Sequence, residues 1–497
     1  MTRPATTTHT YPVTGNAFGL PLLIISALQL MVVLDGTVVN LALARIQVEL
    51  GLTDSLRSWI VTSYALAYGG LLLLGGRLGD VFGRKRTFLI GVSMFTLASL
   101  ACGLANGAGV LLVARVIQGI GAAVASPTAM ALIVVTFAPG KPRNQAFSVF
   151  AMMTGLGSVL GLVVGGALTE ASWRWIFLIN VPIGVFIVGL GVKYLFSTGQ
   201  SEKMALDVRG AVLATGASTL LVFGMTEGGV GFTAPVIGSV VLGVVLLIGF
   251  FFSQRTAANP VLPLGMFAHR SRTFVFVSLL LVGALLMAMT VQVALFVQEV
   301  LGYGPLTAGL AFIPFAFALA TGSAISGRLA EVVSPRWIVA GGGVILIGGF
   351  VFSSMLDEHA SYLPDLLIPI LVIGVGLGIV LIPLTLSVVA GVKPTEVGPL
   401  TATSLVCQTL GGPLGLAAVT AYAEMRTRSR LGSAFDTLNR SALDDAARAA
   451  LGDGYTGSLL ICAGLAVVVV ILVVAFVKFT PEDIREGKAA EAAAQRG

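Results

Sequence analysis

The chain has few charged side chains for its length. Only 10% of its 497 residues are charged, whereas 56% are hydrophobic, and the mean hydropathy is +0.97. Soluble domains carry roughly 25% charged residues, so a soluble chain of this composition could not cover its surface with polar groups. The scarcity of charge excludes an ordinary soluble protein and indicates that lipid surrounds much of the chain.

Cysteine and histidine are also scarce, with three residues of each. The cysteines (Cys102, Cys407 and Cys462) all fall within apolar segments, which predicts packing residues rather than a disulfide framework or a metal site. The sequence also lacks a Gly-x-x-x-x-Gly-Lys-Ser/Thr loop and any recognisable nucleophile–base pair. We therefore expect no nucleotide, metal or other cofactor, and we expect that the chain is not an enzyme.

Long apolar runs fill most of the sequence and predict membrane-spanning helices. A bilayer core about 30 Å thick needs roughly 20 apolar residues per helix, and these runs do not alternate as barrel strands do. Fourteen runs fit this description, which predicts an all-α integral membrane fold. Their centres lie near Leu30, Ala67, Phe95, Gly121, Gly157, Phe186, Leu220, Val244, Leu286, Phe317, Ile345, Gly378, Leu410 and Val468.

Two repeated motifs divide the fourteen spans into halves. The glycine-rich, charged segment 76–86 has a counterpart at residues 327–331, and residues 157–162 have a counterpart at residues 411–416. These matches pair span 2 with span 10 and span 5 with span 13, which leaves two spans between the halves. The predicted arrangement is six plus two plus six, with two pseudo-symmetric six-helix halves. Repeated halves with a site near the bilayer midplane are typical of transporters.

This arrangement predicts the domain limits. They are an N-terminal tail (1–18), an N-terminal half (19–198), a two-helix insert (199–256), a C-terminal half (257–480) and a C-terminal tail (481–497). Within the C-terminal half, residues 424–456 are expected to form a loop outside the cytoplasm, with a short amphipathic helix over residues 441–451. Both tails are expected to be mobile.

The distribution of basic residues predicts the orientation of the chain in the membrane. Most of the 29 Lys and Arg side chains lie in the segments that fall on the same side as the two termini. Because basic residues favour the cytoplasmic side of a membrane, both termini are predicted to be cytoplasmic in a multi-pass inner-membrane protein. The net charge of +6 therefore reflects orientation and does not point to a nucleic-acid partner. We expect a monomer.

Two ionisable side chains fall inside predicted spans. A carboxylate at the middle of a membrane costs roughly 2.5–3.5 kcal/mol on insertion scales, and protonation removes most of that cost. Asp35, in the first span, could therefore take a proton from one side and release it to the other. Arg115, in the fourth span, stays charged and needs carbonyl groups or an acid as its partner. The alternatives are a static polar contact between Asp35 and Asn40 or a neighbouring helix, and a purely structural role for Arg115.

Two further motifs suggest how the halves move. In the segment 76–86, a carboxylate at a helix end can cap another helix or pair with arginine, so the segment is a candidate conformational latch, or simply a positively charged anchor. The candidate latch residues are Gly76, Gly79, Asp80, Gly83, Arg84 and Arg86. In span 5, Gly157, Gly161, Gly165 and Gly166 form a stripe of small residues that allows close helix packing.

These motifs resemble those of the major facilitator superfamily, in its fourteen-span drug:proton antiporter branch. Segment 76–86 is similar to the superfamily's loop between helices 2 and 3, and residues 34–43 to the branch's first-helix motif. Residues 115–121 resemble the helix 4 motif associated with proton transfer, and residues 173–184 are typical of the branch. The glycine stripe is similar to the helix 5 antiporter motif. The departures are Val81 in place of a basic residue, Ala44 in place of proline and Leu162 in place of proline.

The resemblance implies a proton-coupled exporter of hydrophobic or amphipathic small molecules such as drugs and antibiotics. Its halves would rock to open one central cavity to each side in turn, with Asp35 and Arg115 carrying the proton coupling. The expected partners are a lipophilic substrate, protons and membrane lipid. The residues that we expect to face substrate are Met31, Asp35, Met287, Met289, Gln292 and Phe296. Alternative cargoes are a lipid, a siderophore or an endogenous antibiotic, a non-transporting receptor is a remote alternative, and Glu299 and Glu424 are alternative proton carriers.

Overall fold

The computed structural model describes residues 19–138, 141–196, 207–228, 233–257, 265, 267, 269–392, 394–437 and 443–494. The predicted N-terminal tail lies outside these residues. Helices make up nearly all of the described chain. They are α1 (Leu20–Leu50), α2 (Asp54–Phe82), α3 (Arg84–Gly103), α4 (Ala108–Thr136), α5 (Lys141–Ala171), α6 (Trp175–Leu178), α7 (Asn180–Tyr194), α8 (Val208–Gly228), α9 (Ala234–Thr256), α10 (Arg270–Leu295), α11 (Pro305–Ala311), α12 (Ile313–Leu329), α13 (Pro335–Ser353), α14 (Leu367–Val388), α15 (Pro394–Leu431), α16 (Asp445–Phe476) and α17 (Pro481–Ala494).

The helices agree with the apolar pattern of the sequence. In the described part of the chain, twelve helical segments are long and apolar enough to cross a membrane, and all fourteen predicted centres lie within helices. The centres that those twelve segments do not cover are Ala67 and Gly157, which lie in α2 (29 residues) and α5 (31 residues). The all-α membrane fold is therefore confirmed.

The helices form two packed groups with the insert at their junction. Helices α1–α7 pack around one another, as do α10–α16, and the largest apolar core contains residues of both groups. Helix α8 packs on α2 from the first group and on α15 from the second. A small apolar cluster of Leu66, Val222 and Ala417 joins these three helices. The insert therefore covers one of the seams between the halves.

Two glycine turns mark the two ends of the helix bundle. Gly51, with a φ of +61°, ends α1, and Gly83, with a φ of +87°, separates α2 from α3. A positive φ is strained for residues with a side chain, which explains glycine at both turns. We call the end with Gly83 and the basic segment 84–86 the basic end, and the end with Gly51 the far end.

The structure corrects the prediction for residues 424–456. Helix α15 continues to Leu431, and α16 begins at Asp445 and runs without interruption to Phe476. The side chain of Asp444 accepts a hydrogen bond from the backbone N–H of Ala447 and caps α16. From Asp445 onward, the residues of the predicted amphipathic helix (441–451) form the first turns of α16. The helices α15 and α16 therefore take up much of the predicted loop.

The segment after Lys478 also differs from the mobile tail predicted for it. It forms α17, which buries Ile484 against the C-terminal half. Lys488 Nζ lies 2.9 Å from Glu331 Oε1, in the turn between α12 and α13. Arg485 donates a hydrogen bond of 2.6 Å to the backbone carbonyl of Glu331. An alanine-rich sequence with acids in its first turn favours this helix.

Candidate functional site

The carboxylate of Asp35 lies at the centre of a buried polar network inside the N-terminal half. Its Oδ2 is 2.7 Å from Arg115 Nη1, and its Oδ1 accepts hydrogen bonds from Gln118 Nε2 (2.7 Å) and Asn180 Nδ2 (2.9 Å). Gln118 Nε2 also donates to Ser99 Oγ at 2.9 Å. All five side chains are fully buried. The carboxylate of Asp35 thus accepts hydrogen bonds from side chains of α4 and α7, and Gln118 extends the network to Ser99 in α3.

Arg115 is held by more than its ion pair with Asp35. Its Nε donates a 2.9 Å hydrogen bond to the backbone carbonyl of Ile60 in α2, and Nη1 donates a 2.8 Å bond to Gln118 Oε1. The guanidinium lies 4.3 Å from the ring centroid of Tyr64 and 5.7 Å from that of Phe177. These contacts balance the cost of burying a charge, and they connect α1, α2 and α4 through one cation.

The sequence predicted the acid and the base of this network, but not that they bind each other. Of the predicted alternative contacts of Asp35, the one with Asn40 is wrong, because the amide of Asn40 donates to the carbonyl of Gly36 instead (3.5 Å). The other, a polar contact with a neighbouring helix, is present in the bonds to α4 and α7. Asn180 was missed. Its signal is a polar residue in an apolar run, at the start of α7, where a short helix break turns the side chain toward α1.

A second buried charged cluster joins the two halves at the far end. Arg57 Nη1 in α2 lies 2.9 Å from Glu299 Oε1, in the π-helical turn Phe296–Val300 that follows α10. The same nitrogen lies 2.6 Å from Gln47 Oε1 and 3.4 Å from Asp54 Oδ1. Tyr455 Oη in α16 donates a 2.6 Å hydrogen bond to Glu299 Oε2. The side chains of Arg57 and Glu299 are only 3% and 7% exposed.

The basic segment at the α2–α3 turn contacts neighbouring helices of its own half. Arg84 Nη1 donates to the carbonyl of Ala131 in α4 (3.4 Å), and Lys85 Nζ donates to the carbonyl of Val192 in α7 (2.8 Å). Gly79 packs closely on Thr128. The side chain of Asp80 lies outside the described residues. Of the other candidate latch residues, Gly76 packs on Pro127 of α4 and Arg86 is exposed.

The glycine stripe of α5 serves two different contacts. Cβ atoms at Gly157 and Gly165 would lie 3.0 Å and 2.8 Å from the side chains of Val33 and Val38 in α1, and Gly161 packs on α1 between them. Gly166 faces the other half, where a Cβ would lie 2.7 Å from the Cα of Leu306 at the start of α11. The stripe therefore packs α5 on α1 and also brings the two halves together at the far end.

The predicted substrate-facing residues are divided between different environments. Met289, Gln292 and Phe296 line a small, mostly apolar cavity inside the C-terminal half, together with Ser353, Leu366 and Tyr455 among others. Its free space consists of narrow gaps that admit little more than a water molecule. Gln292 Nε2 is buried there without a hydrogen-bond partner.

The remaining predicted substrate residues lie elsewhere. Met31 is fully buried in the apolar core of the N-terminal half, and Met287 packs against Gly412. Asp35 belongs to the network described above. In the part of the chain that the structure describes, no group of His, Cys, Asp and Glu side chains could hold a metal ion.

Comparison with known proteins identifies the family. The sequence profile of the Major Facilitator Superfamily matches residues 25–416. The chain is 43% identical over 486 residues to the uncharacterised MFS-type transporter EfpA of Mycobacterium tuberculosis, covering 97% of this chain and 91% of EfpA. It is 39% identical to the puromycin resistance protein pur8 of Streptomyces alboniger, covering 80% of each chain. It is 30% identical to the multidrug resistance protein Stp of Mycobacterium tuberculosis, covering 78% of this chain and 72% of Stp.

Solved structures share the fold. A bacterial homologue of the human lysosomal transporter Spinster, in an inward-facing and unoccupied conformation, superposes with a TM-score of 0.69 at 17% identity, covering 95% of this chain and 97% of that one. The predicted resemblance is thus confirmed, and its nearer sequence relatives include proteins named for drug and antibiotic resistance. The chain belongs to the Major Facilitator Superfamily and is a membrane transporter rather than an enzyme.

Proposed function

We propose that this chain is a proton-coupled exporter of hydrophobic or amphipathic small molecules, with fourteen spans and its basic end in the cytoplasm. The observation that carries the proposal is the Asp35–Arg115 ion pair, fully buried and 2.7 Å long. Ionisable groups inside spanning helices are costly, and in transporters they mark proton and substrate pathways. Asp35 is the proton-carrying group in this proposal, and Arg115 is its counter-ion.

Protonation of Asp35 changes what the network can hold together. The neutral acid no longer balances the charge of Arg115, and removing one member of a buried pair costs about 3–5 kcal/mol. Arg115 keeps its bonds to Ile60 and Gln118, so the cation stays with α2 and α4 while its tie to α1 weakens. Loading and release of one proton would therefore shift α1 relative to α2 and α4.

The position of α1 allows this shift to reach the other half. Helix α1 packs on α5 within its own half and on α10 and α11 of the other half. Gly166 of α5 lies against α11 as well. A change in how α1 sits on α4 would thus alter the surfaces that meet at the far end. This gives a route from proton binding to the rocking of one half against the other.

The proposed class of cargo rests on the residues that line the cavity of the C-terminal half and on the names of the related proteins. Methionine and aromatic side chains around one unpartnered amide suit an apolar molecule with a hydrogen-bond acceptor. The relatives pur8 and Stp are named for puromycin and multidrug resistance, which supports a drug-like cargo. A membrane lipid, a siderophore or an endogenous antibiotic is the alternative cargo of the same machine.

Transport by the purified protein tests the proposal. Liposomes with an acidic lumen, carrying inside-out protein, should accumulate ethidium as protons leave, and a protonophore should abolish the accumulation. Asp35→Asn should lose this uphill transport, because asparagine cannot exchange a proton. Glu49→Gln is the matched control, since it removes a partly exposed ion pair with Arg174 inside the same half and should transport as the wild type does.

Three results would count against the proposal. Ethidium accumulation that persists in the presence of the protonophore would show that protons do not drive transport. Phospholipid movement between leaflets without dye transport would favour the lipid alternative. Saturable ethidium binding without any flux, in protein that is folded and oriented, would favour a receptor.

A further inference from the structure

The Arg57–Glu299 pair is the one buried ion pair in the described part of the chain that the Asp35 mechanism does not use and that connects the two halves. Arg57 belongs to α2 and Glu299 to the turn after α10. The pair lies at the far end, close to the α1–α2 turn at Gly51 and to the contact between Gly166 and α11. In this position the ion pair holds the two halves together at the far end.

We propose that Arg57 and Glu299 form a releasable latch, and that Glu299 is a second proton-binding group that opens it. The proposal builds on the proton-coupled export proposed above and adds a residue to it. Protonated Glu299 would no longer pair with Arg57, and the far end would be free to open. Proton loading would then act at two places, at Asp35 inside one half and at Glu299 between the halves.

The local contacts allow the latch to open at low cost. A buried charge that loses its partner is normally expensive, but each member here has other partners in its own half. Arg57 keeps Gln47 Oε1 at 2.6 Å and Asp54 Oδ1 at 3.4 Å, while Glu299 keeps the hydroxyl of Tyr455 at 2.6 Å. The Arg57–Glu299 bond can therefore break while both groups keep hydrogen-bond partners. Arg57 Nη1 also lies 3.5 Å from Tyr455 Oη, across the same junction between the halves.

Titratable and charged side chains from α2 and α16 lie at the latch. Helix α2 brings Arg57 to Glu299 and Asp54 to Arg57, and α16 brings Tyr455 to both members of the pair. Helix α11 carries no titratable side chain, and the only cations of α10 lie in its first turn, at the basic end. The response of the latch to pH therefore depends on one carboxylate, one guanidinium and their immediate neighbours.

The latch is connected to the first proton site through α2. Arg57 lies three residues before Ile60, whose carbonyl accepts the Nε–H of Arg115. Gln47, the fallback partner of Arg57, lies in α1, the helix that carries Asp35. A shift of α1 against α2 on protonation of Asp35 would thus change the hydrogen bond between Gln47 and Arg57. The Asp35 site and the latch both involve α1 and α2, so a change at one site would be transmitted to the other.

Distances between spin labels test the latch without substrate or a proton gradient. Labels at Leu104→Cys and Met355→Cys, both exposed at the far end, report its opening, and labels at Phe82→Cys and Val332→Cys report the basic end. The native cysteines are replaced by alanine. In the wild type, acidification should lengthen the far-end distance. Glu299→Gln should show the longer distance at neutral pH already, and acidification should not lengthen it further.

Two companion variants keep the result interpretable. Arg57→Gln removes the same bond from the other side and should also populate the open far end. Glu49→Gln, a carboxylate at the same end that pairs inside one half, should behave as the wild type does. If Glu299→Gln and Arg57→Gln, both monodisperse, keep the wild-type distance and its pH response, the latch is refuted. A pH response lost in Asp35→Asn but intact in Glu299→Gln would refute it too.

These outcomes are independent of the export proposal. A chain that moves no dye, or moves it without protons, overturns the proposed function whatever the labels report. A chain that exports with proton coupling while Glu299→Gln leaves both distance distributions unchanged keeps the proposed function and loses the latch.

Discussion

The adjacent glycines Gly165 and Gly166 in α5 offer a matched pair of substitutions. A Cβ at Gly166 would lie 2.7 Å from both the Cα of Leu306 and the carbonyl oxygen of Pro305, in the opposite half. A Cβ at Gly165 would lie 2.8 Å from the side chain of Val38, in α1 of the same half. Both changes create a similar clash, but only the first clash disappears when the halves part at the far end.

The expected magnitude follows from this geometry. Overpacking a well-packed contact costs typically about 1–3 kcal/mol, and the gain in helix propensity from Gly→Ala is the same in every state. Gly166→Ala should therefore disfavour the far-end-closed state by about 1–3 kcal/mol, which is about a 5- to 150-fold change in its population relative to the open state. Gly165→Ala should lower overall stability and leave that ratio unchanged.

The far-end label pair at Leu104 and Met355 measures the ratio. Gly166→Ala should move the distance distribution toward the long component, and Gly165→Ala should reproduce the wild-type distribution with a lower melting temperature. Identical distributions in all three proteins, or an equal shift in both variants, would refute the assignment of Gly166 to the contact between halves.

Three further outcomes are expected. Arg115→Lys should keep a charge beside Asp35 but lose the Nε bond to Ile60, lowering stability by about 1.5–3 kcal/mol; an unchanged melting temperature would contradict this. Gln292→Leu should not lower stability, because it replaces a buried amide nitrogen without a partner. It should raise the KM for substrates with a hydrogen-bond acceptor, as measured by uptake of a carbonyl-bearing substrate. The hydrogen bond from Lys488 lowers the pKa of Glu331. Helix α17 should therefore dock fully above about pH 4.3, the ordinary value for Glu, and loosen as the pH falls below it. Hydrogen exchange in α17, corrected for the intrinsic rate, should rise at that low pH in the wild type and already at neutral pH in Lys488→Ala.

The sequence predicts well whatever depends on the cost of burial in a membrane. Apolar runs gave the helices, and the same cost singled out Asp35 and Arg115 as groups that need partners. The partners themselves were harder to predict. Asn180 and Ser99 join the network from distant parts of the chain, and a lone polar residue in an apolar run does not reveal which helix it faces.

The ion pair of the far-end latch could not be predicted from the sequence. Arg57 was not among the residues that the sequence singled out, and Glu299 was considered only as an alternative proton carrier. The two residues are 242 positions apart, and only the packing of α2 on the opposite half brings them together. The same reason explains the α17 contact, because a short alanine-rich helix gains its order from docking that its own sequence does not show.

The most direct test of the central claim separates transport from its drive. In proteoliposomes, Asp35→Asn should still exchange labelled ethidium for unlabelled ethidium without a proton gradient. In this account the proton biases the rocking of the halves, and exchange needs only that the substrate-bound protein rocks in both directions. The same preparation should fail to accumulate ethidium against its gradient when the lumen is acidic. Uphill accumulation by Asp35→Asn at the wild-type rate would contradict the claim that Asp35 carries the proton.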